Sequence, residues 1–595
     1  MTQTQDPQSP PAAVPEPPAS GHLAMALVGL AAGLSFWTLT DVLPEVLGTG
    51  RLLLWLACVA LAGFVSLLAL SGPARMRQAG QAALILALPL SGLVLLASLR
   101  YDSVRAFAES GYWFGAFAIV LVPGMAFLAA AVTRPGGWRD PALLFDIAWT
   151  IFLRQLVGIA FAGLVWLVVL LSSALLELVG IRVIDRLIDL APVPWALTGL
   201  ALGLGLSVAH DLRAHLSPLP VLRLLRLLAP VLLVVVAVFL LALPLRGLDG
   251  LFGRLSPALL LLSVAAGAVT VISAAADRDA AGAVRAPLLR RSAMGLSLLL
   301  VPLTGLAIWA IALRVQQFGW TPARLSGMLC GLLLAGYALA YTLAVLRGDW
   351  DGGVRQGNRW LALLSMAVAV LWLTPLLSAE AISAGSQAAR LMAAQGPEPD
   401  LAMEELAFDW GRPGRTALDR VVQARGADDP LGQQIAALLE APDRRTATEV
   451  RRASARAETF ATLQAALPLR PTGMTLPDGA FDAVNDWQIT TWAEACARLD
   501  GAGRPGCVLL EAPFQPDRAE RQFAMLTDTG SGVLALRYVL EAGQLQPEGS
   551  LRLEGASGDL LSRADLAAVQ EGRFAVTPVR RNALRIGESR LSPDN

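Results

Sequence analysis

Arg314, Gln316, Gln317, Trp320, Thr321 and Arg324 crowd one short stretch between two apolar runs, and Ser383, Ser386, Gln387 and Arg390 follow the last such run. Guanidinium forks with amide and hydroxyl donors at that level suit a phosphate or another anionic headgroup. The same residues have a purely structural reading. Arg314 and Arg324 would anchor helix ends, and the Ser/Gln run would cap the next helix.

The other polar groupings promise less. His210, Asp211 and His215 supply three N/O ligands, but a five-residue spacing does not set both histidines on one helical face. No metal site is therefore expected. Asp146 and Arg154 lie two helical turns apart and would flank a polar cavity. In the alternative, which is preferred, both sit at the membrane interface with Arg154 snorkelling. Asp478, Asp482, Asp486, Glu511, Asp517, Glu520 and Asp528 are spaced like surface charge, and no EF-hand loop is present. The chain has three histidines and, apart from them, only arginine as a basic residue. Lysine Schiff bases and a P-loop lysine are thereby removed, and no Walker A, strand–GxGxxG–helix unit or GxSxG elbow occurs. No cofactor is expected. A formal net charge of zero gives no footprint for nucleic acid.

The elements that must position these residues are membrane spans. Of 595 residues, 55% are hydrophobic and 16% charged, against about 25% charged in a typical soluble protein. Runs long enough to cross a bilayer fall near 23–43, 51–71, 80–98, 112–132, 150–175, 193–210, 222–245, 256–276, 292–313, 326–346 and 360–378. Pro89, Pro123, Pro230 and Pro302 mark kinks or entry points. Gly29 with Gly33, Gly199 with Gly203, and Gly327 with Gly331 allow close helix approach, read as packing within the bundle. Glu177–Leu190 is amphipathic and is placed along the outer interface, with Trp195 as its anchor.

Alternate loops differ in arginine. Arg75, Arg77, Arg134, Arg139, Arg154, Arg213, Arg223, Arg226, Arg278, Arg285, Arg290, Arg291, Arg347, Arg355 and Arg359 fall on one side. Arg51, Arg100, Arg105, Arg182, Arg186, Arg246, Arg254, Arg314 and Arg324 fall on the other. The richer set is expected in the cytoplasm. The N-terminal tail, residues 1–21, is then a disordered cytoplasmic segment. An odd span count carries the C-terminal region, and the 314–324 and 383–390 stretches, outside.

The expected fold class is an α-helical polytopic membrane protein of about eleven spans over 22–380, with a soluble C-terminal α+β domain. Residues 381–465 read as an extracytoplasmic helical segment and 466–595 as the α+β part. Strands are expected at 508–510, 522–526, 533–539, 550–553 and 574–579. Cys58 and Cys330 fall in spans as packing residues. Cys496 and Cys507 flank a Gly/Pro loop and are expected to pair in an oxidising compartment, two unrelated thiols being the alternative.

Four stretches resemble a family of bacterial polytopic membrane proteins known as domain of unknown function 4153. They are LLELVGIRVIDRLIDLAPVPWALTGLALGLGLSVAH at 175–210, RVQQFGWTPARL at 314–325, NRWLALL at 358–364 leading into LTPLLSAEAISAGSQAARL at 373–391, and FDWGRPGRTALDRV at 408–421. The resemblance implies a multi-spanning membrane protein with an extracytoplasmic tail, and brings no activity, substrate or catalytic residues.

Three function classes stay open. One is a non-enzymatic envelope assembly, sensing or regulatory factor of the bacterial inner membrane, with membrane lipids and an envelope protein as partners. The others are a carrier or flippase for a lipid-like or small substrate, and a membrane-embedded transferase with an extracytoplasmic active site. The first is favoured because intramembrane charges and catalytic motifs are scarce. The sequence sets no oligomeric state.

Overall fold

The computed structural model describes residues 20–48, 50–71, 76–211, 219–246, 257–279, 282–394, 402–426, 428–551, 561–578, 584–586 and 589–591. The N-terminal tail up to residue 19 and His215 lie outside the described residues. The chain divides into two compact units, Met1–Glu440 and Ala441–Asn595.

Among the described residues, ten helices in the first unit are long and apolar enough to cross a membrane: His22–Leu47, Arg51–Leu70, Met76–Ser98, Tyr112–Thr133, Pro141–Leu178, Pro192–Ala209, Pro220–Leu243, Pro257–Ala276, Pro287–Phe318 and Pro322–Leu346. An eleventh, Trp350–Leu373, bends by 91° into the segment Pro375–Ala393. This is an α-helical polytopic membrane protein. Leu224, Leu227, Val231, Val234, Val238 and Leu241 of the seventh span are exposed in the isolated chain, as a lipid-facing stripe must be.

The spans differ from expectation at three places. The fifth is 38 residues long, about 57 Å at the helical rise and well beyond a ~30 Å hydrocarbon core. It starts at Pro141 because Asp140 accepts bonds from the amides of Ala142 and Leu143. Within it Arg154 does not snorkel. It is 4% exposed and donates to the Ala69 carbonyl at the end of the second span. The eleventh span begins near 350 rather than 360, since Asp349 caps it through the Gly352 amide. The amphipathic Glu177–Leu190 stretch is broken at Gly180, with φ +79°, and only Val183–Ile188 forms a separate helix.

Gly29 and Gly33 of the first span pack on Gly199, Gly203 and Trp195 of the sixth. An added Cβ at Gly29 would lie 2.1 Å from the Gly199 carbonyl oxygen, and one at Gly203 would lie 2.3 Å from that of Met25. The small-residue motif thus closes a crossing inside the bundle. Gly331 of the tenth span meets side chains only, the nearest being Ile308 of the ninth, with its Cγ1 3.0 Å from an added Cβ.

In the second unit the helix Arg444–Ala466 leads into a five-stranded sheet, β1 Leu469–Arg470, β2 Cys507–Glu511, β3 Gln522–Asp528, β4 Val533–Glu541 and β5 Gln544–Ser550, in sequential order. β1 and β2 are parallel and the other neighbours antiparallel. Alternation along the strands splits the core. Leu509, Phe523, Met525 and Tyr538 pack in one cluster with Trp492, and Val508, Leu510, Ala524 and Leu526 in another with Leu566. A short hairpin, Leu584–Ile586 with Ser589–Leu591, follows.

The first three expected strands are present. Of the expected 550–553 strand, residues 552–553 lie outside the described residues; β5 runs at 544–550, because Ala542 and Gly543 both take positive φ and turn the chain at once. Residues 574–578 are not a strand, and Phe574 and Val576 are exposed. Cys496, near the end of the helix Asp486–Ala497, and Cys507, at the start of β2, form a disulfide with Cα atoms 4.8 Å apart. Both are buried.

Candidate functional site

The ninth span ends at Phe318 because Gly319 adopts φ +71°. Thr321 then caps the tenth span, its Oγ1 accepting from the Arg324 amide at 3.3 Å, and Pro322 occupies the first turn. The helix Ala379–Ala393 lies against this turn. Gln387 Nε2 donates to the carbonyls of Phe318 (2.8 Å) and Trp320 (3.0 Å). The Trp320 amide donates to Ser386 Oγ at 3.1 Å, and Arg390 Nη1 donates to the Gln317 carbonyl at 2.9 Å. A Cβ on Gly319 would sit 2.7 Å from Gln387 Nε2 and 2.8 Å from Arg390 Cδ. Glycine is required there twice over, by conformation and by space.

The two polar stretches singled out in the sequence therefore meet, with divided tasks. Gln317, Trp320, Ser386 and Arg390 bind the turn to the helix. Thr321, Arg314, Arg324 and Gln387 line a pocket of about 700 Å³. Arg314 and Arg324 both approach the Phe318 ring, at 5.6 and 5.5 Å. Arg324 Nη1 also donates to the Gly319 carbonyl at 2.8 Å, which fixes its fork beside the pocket.

Sequence reasoning missed the rest of the wall. Glu109 comes from the connection between the third and fourth spans, Tyr112 from the first position of the fourth, and Glu405, Phe408, Asp409 and Trp410 from a π-helical turn and its end. FDWGRPGR at 408–415 contains Phe408, Asp409 and Trp410, but nothing in the sequence connects it or Glu109 to Arg314. The pocket thus carries both signs of charge.

The same connections carry a buried network that the sequence did not reveal. Arg100 Nη1 pairs with Glu380 at 3.0 Å, with side chains 10% and 5% exposed. Arg100 Nη2 donates to the carbonyls of Trp372 (2.9 Å) and Thr374 (2.5 Å), bridging the 91° bend. The Tyr101 hydroxyl donates to Glu380 Oε1 at 3.1 Å and Ser378 Oγ to Oε2 at 3.1 Å. Burial, and then the Glu380 charge, push the Tyr101 hydroxyl well above the ordinary tyrosine range. The Arg412 amide donates to the Arg100 carbonyl at 2.8 Å. Gly411, with φ +58°, leaves room there, since its Cβ would stand 2.6 Å from that oxygen.

The remaining polar groups are not among the residues that line the pocket. Asp146 pairs with Arg278 at 3.3 Å. In the second unit Glu511 pairs with Arg521, Asp528 with Arg563, Glu520 with Arg518 and Asp486 with Arg456. The Arg521 guanidinium holds the Glu511 carboxyl below its usual range. Among the described residues no group of three His, Cys, Asp or Glu is set to hold a metal.

A bundle of about eleven spans, with a polar pocket where their connections converge and a separate small sheet unit, defines a polytopic membrane protein. The chain belongs to the family described as domain of unknown function DUF4153, which it matches over residues 24–409. No curated protein and no solved structure matches it. The matched region takes in nearly all of the pocket and ends before the sheet unit.

Proposed function

We propose that this chain is a non-enzymatic envelope factor of a bacterial inner membrane that binds an anionic headgroup at its outer face. The N-terminus is cytoplasmic and the sheet unit, a partner-binding module, lies outside. One observation carries the reading: Arg314, Thr321 and Arg324, from one short stretch, and Gln387, more than sixty positions further along, line one pocket at the ends of two spans. Arginine forks match phosphate oxygens, and a pocket of this volume suits a small ligand. The arginine bias of the alternate loops supports the sidedness.

The test is a titration of the purified full-length protein in neutral detergent with short-chain phosphatidylglycerol, followed by tryptophan fluorescence, since Trp410 lines the pocket. Saturable binding is expected, weakened at least tenfold by Arg314→Ala combined with Arg324→Ala. Unchanged affinity in that variant rejects the site. Alkaline phosphatase fused after Asn595 reads the sidedness, and an inactive fusion rejects the outward placement.

A further inference from the structure

The pocket has two poles, and an anion would satisfy only one of them. We propose that its ligand is a zwitterion, a phosphate ester that carries a primary ammonium group. This deepens the anion-binding reading above and rests on it.

Arg324 supplies the anionic subsite. Its Nη1 is committed to the carbonyls of Phe318 and Gly319, while Nε and Nη2 make no hydrogen bond among the described residues. A guanidinium anchored by one nitrogen presents its other edge in a fixed orientation, which favours bidentate contact with phosphate. Arg314 lines the same cavity and adds a second positive charge.

Glu405 supplies the opposite subsite. It lines the pocket, is exposed, and its carboxylate makes no hydrogen bond or ion pair among the described residues. Asp409 and Glu109, the latter paired with Arg105 at 2.8 Å, line the same wall. Gln387 gives an independent pointer in the same direction. It is 1% exposed and lines the pocket, and both its amide hydrogen bonds are donated through Nε2, so that Oε1 is a buried acceptor with no partner. An unpaired buried acceptor is costly, and a ligand N–H that reached it would remove that cost where a phosphate oxygen would not. Tyr112 and Phe408 line the same cavity and supply aromatic rings of the kind that attract a cation. A purely anionic ligand would face the Glu405 carboxylate and gain nothing from the acceptor. A purely cationic one would face two guanidinium groups.

The pocket lies where the ninth span ends and the tenth begins, with Tyr112 opening the fourth. A lipid headgroup and a free aminoalkyl phosphate present the same chemistry there, and the experiment separates them. Calorimetric titration of the full-length protein in neutral detergent uses phosphoethanolamine, inorganic phosphate and ethanolamine, then dihexanoyl phosphatidylethanolamine and dihexanoyl phosphatidylglycerol. The expected result is at least tenfold tighter binding of an amine-bearing phosphate than of its amine-free counterpart. Glu405→Gln, an exposed substitution unlinked to the fold, is expected to abolish that preference while leaving affinity for the amine-free phosphate undiminished. A tenfold gain from the acyl chains assigns the site to a lipid, and its absence assigns it to a soluble ester. Equal affinity for the amine-bearing and amine-free members of both series overturns the zwitterion and leaves the anion reading standing. So does a Glu405→Gln protein that keeps the preference. Binding of no phosphate compound overturns both.

Discussion

Replacing Glu380 with alanine is the sharpest probe of how the pocket is held. The substitution removes the acceptor of Arg100 and of the hydroxyls of Tyr101 and Ser378 in one step. Deleting one member of a buried ion pair costs about 3–5 kcal/mol, mostly because a buried charge is left uncompensated. Here Arg100 keeps the carbonyls of Trp372 and Thr374, so the expected loss is about 2–4 kcal/mol. Glu380→Gln keeps an acceptor oxygen without the charge. It should lose roughly half as much, since charge-assisted bonds are about twice as strong as neutral ones. The assay is denaturant unfolding of the purified full-length protein, followed by tryptophan fluorescence, with Arg100→Ala and the double variant completing a cycle. A coupling of at least about 1 kcal/mol is expected between residues in one network. Because Gln387 and Arg390 ride on the same helix as Glu380, ligand affinity should fall in parallel. A Glu380→Ala protein within about 0.5 kcal/mol of wild type, the range of an ordinary surface substitution, would refute the reasoning, as would strict additivity in the cycle.

Three further outcomes are expected. Gly199→Ala drives a methyl group to 2.1 Å from the Gly29 carbonyl and should cost at least about 1–3 kcal/mol by overpacking; crosslinking between cysteines introduced on the first and sixth spans reads the loss, and undiminished crosslinking contradicts the close crossing. Cys507→Ser opens a covalent loop spanning a separation of 11 residues, for which chain entropy predicts a loss of about 3 kcal/mol. Maleimide trapping in cells checks its counterpart: Cys496 and Cys507 should label only after reduction, and labelling without reductant argues against an oxidising compartment. Asp500 is held down to about 2 by the Arg504 amide first and its guanidinium next. A carboxyl with a depressed folded value stabilises above its unfolded value, near 3.8, and loses that contribution as pH falls towards 2. Asp500→Asn should therefore be less stable than wild type at pH 7 and converge on it near pH 2, and a gap that does not close points to another cause.

The spans were legible because twenty apolar residues in water have few alternatives to a membrane helix. Their ends were less so. Arg355 and Arg359 made the start of the eleventh span look like a loop, yet Arg355 donates to the Ala276 carbonyl and Arg359 to that of Arg139. Arginine near a helix end is readable only when its acceptor is known. Arg154 misled in the same way, because burial against the Ala69 carbonyl leaves no local mark. β5, with the sequence QLQPEGS, lacks the alternation that reveals strands and is specified by its hairpin turn instead. At the pocket the basic half was legible from crowding alone. The acidic half, Glu109 with Glu405 and Asp409, was not, since no pattern in the chain ties those residues to Arg314.

The crossing of the first and sixth spans has a consequence for biogenesis. A ribosome adding ~5–20 residues per second takes roughly 8–33 s to travel from Gly33 to Gly199. Throughout that interval the first span is in the membrane with its glycine groove empty, and the carbonyls of Gly29 and Trp195 that will nearly touch their opposite glycines have not met. The early helices of this chain must be held apart from non-specific partners until the sixth arrives. The same small residues that make the finished crossing tight make the half-built protein a client for whatever attends helix insertion.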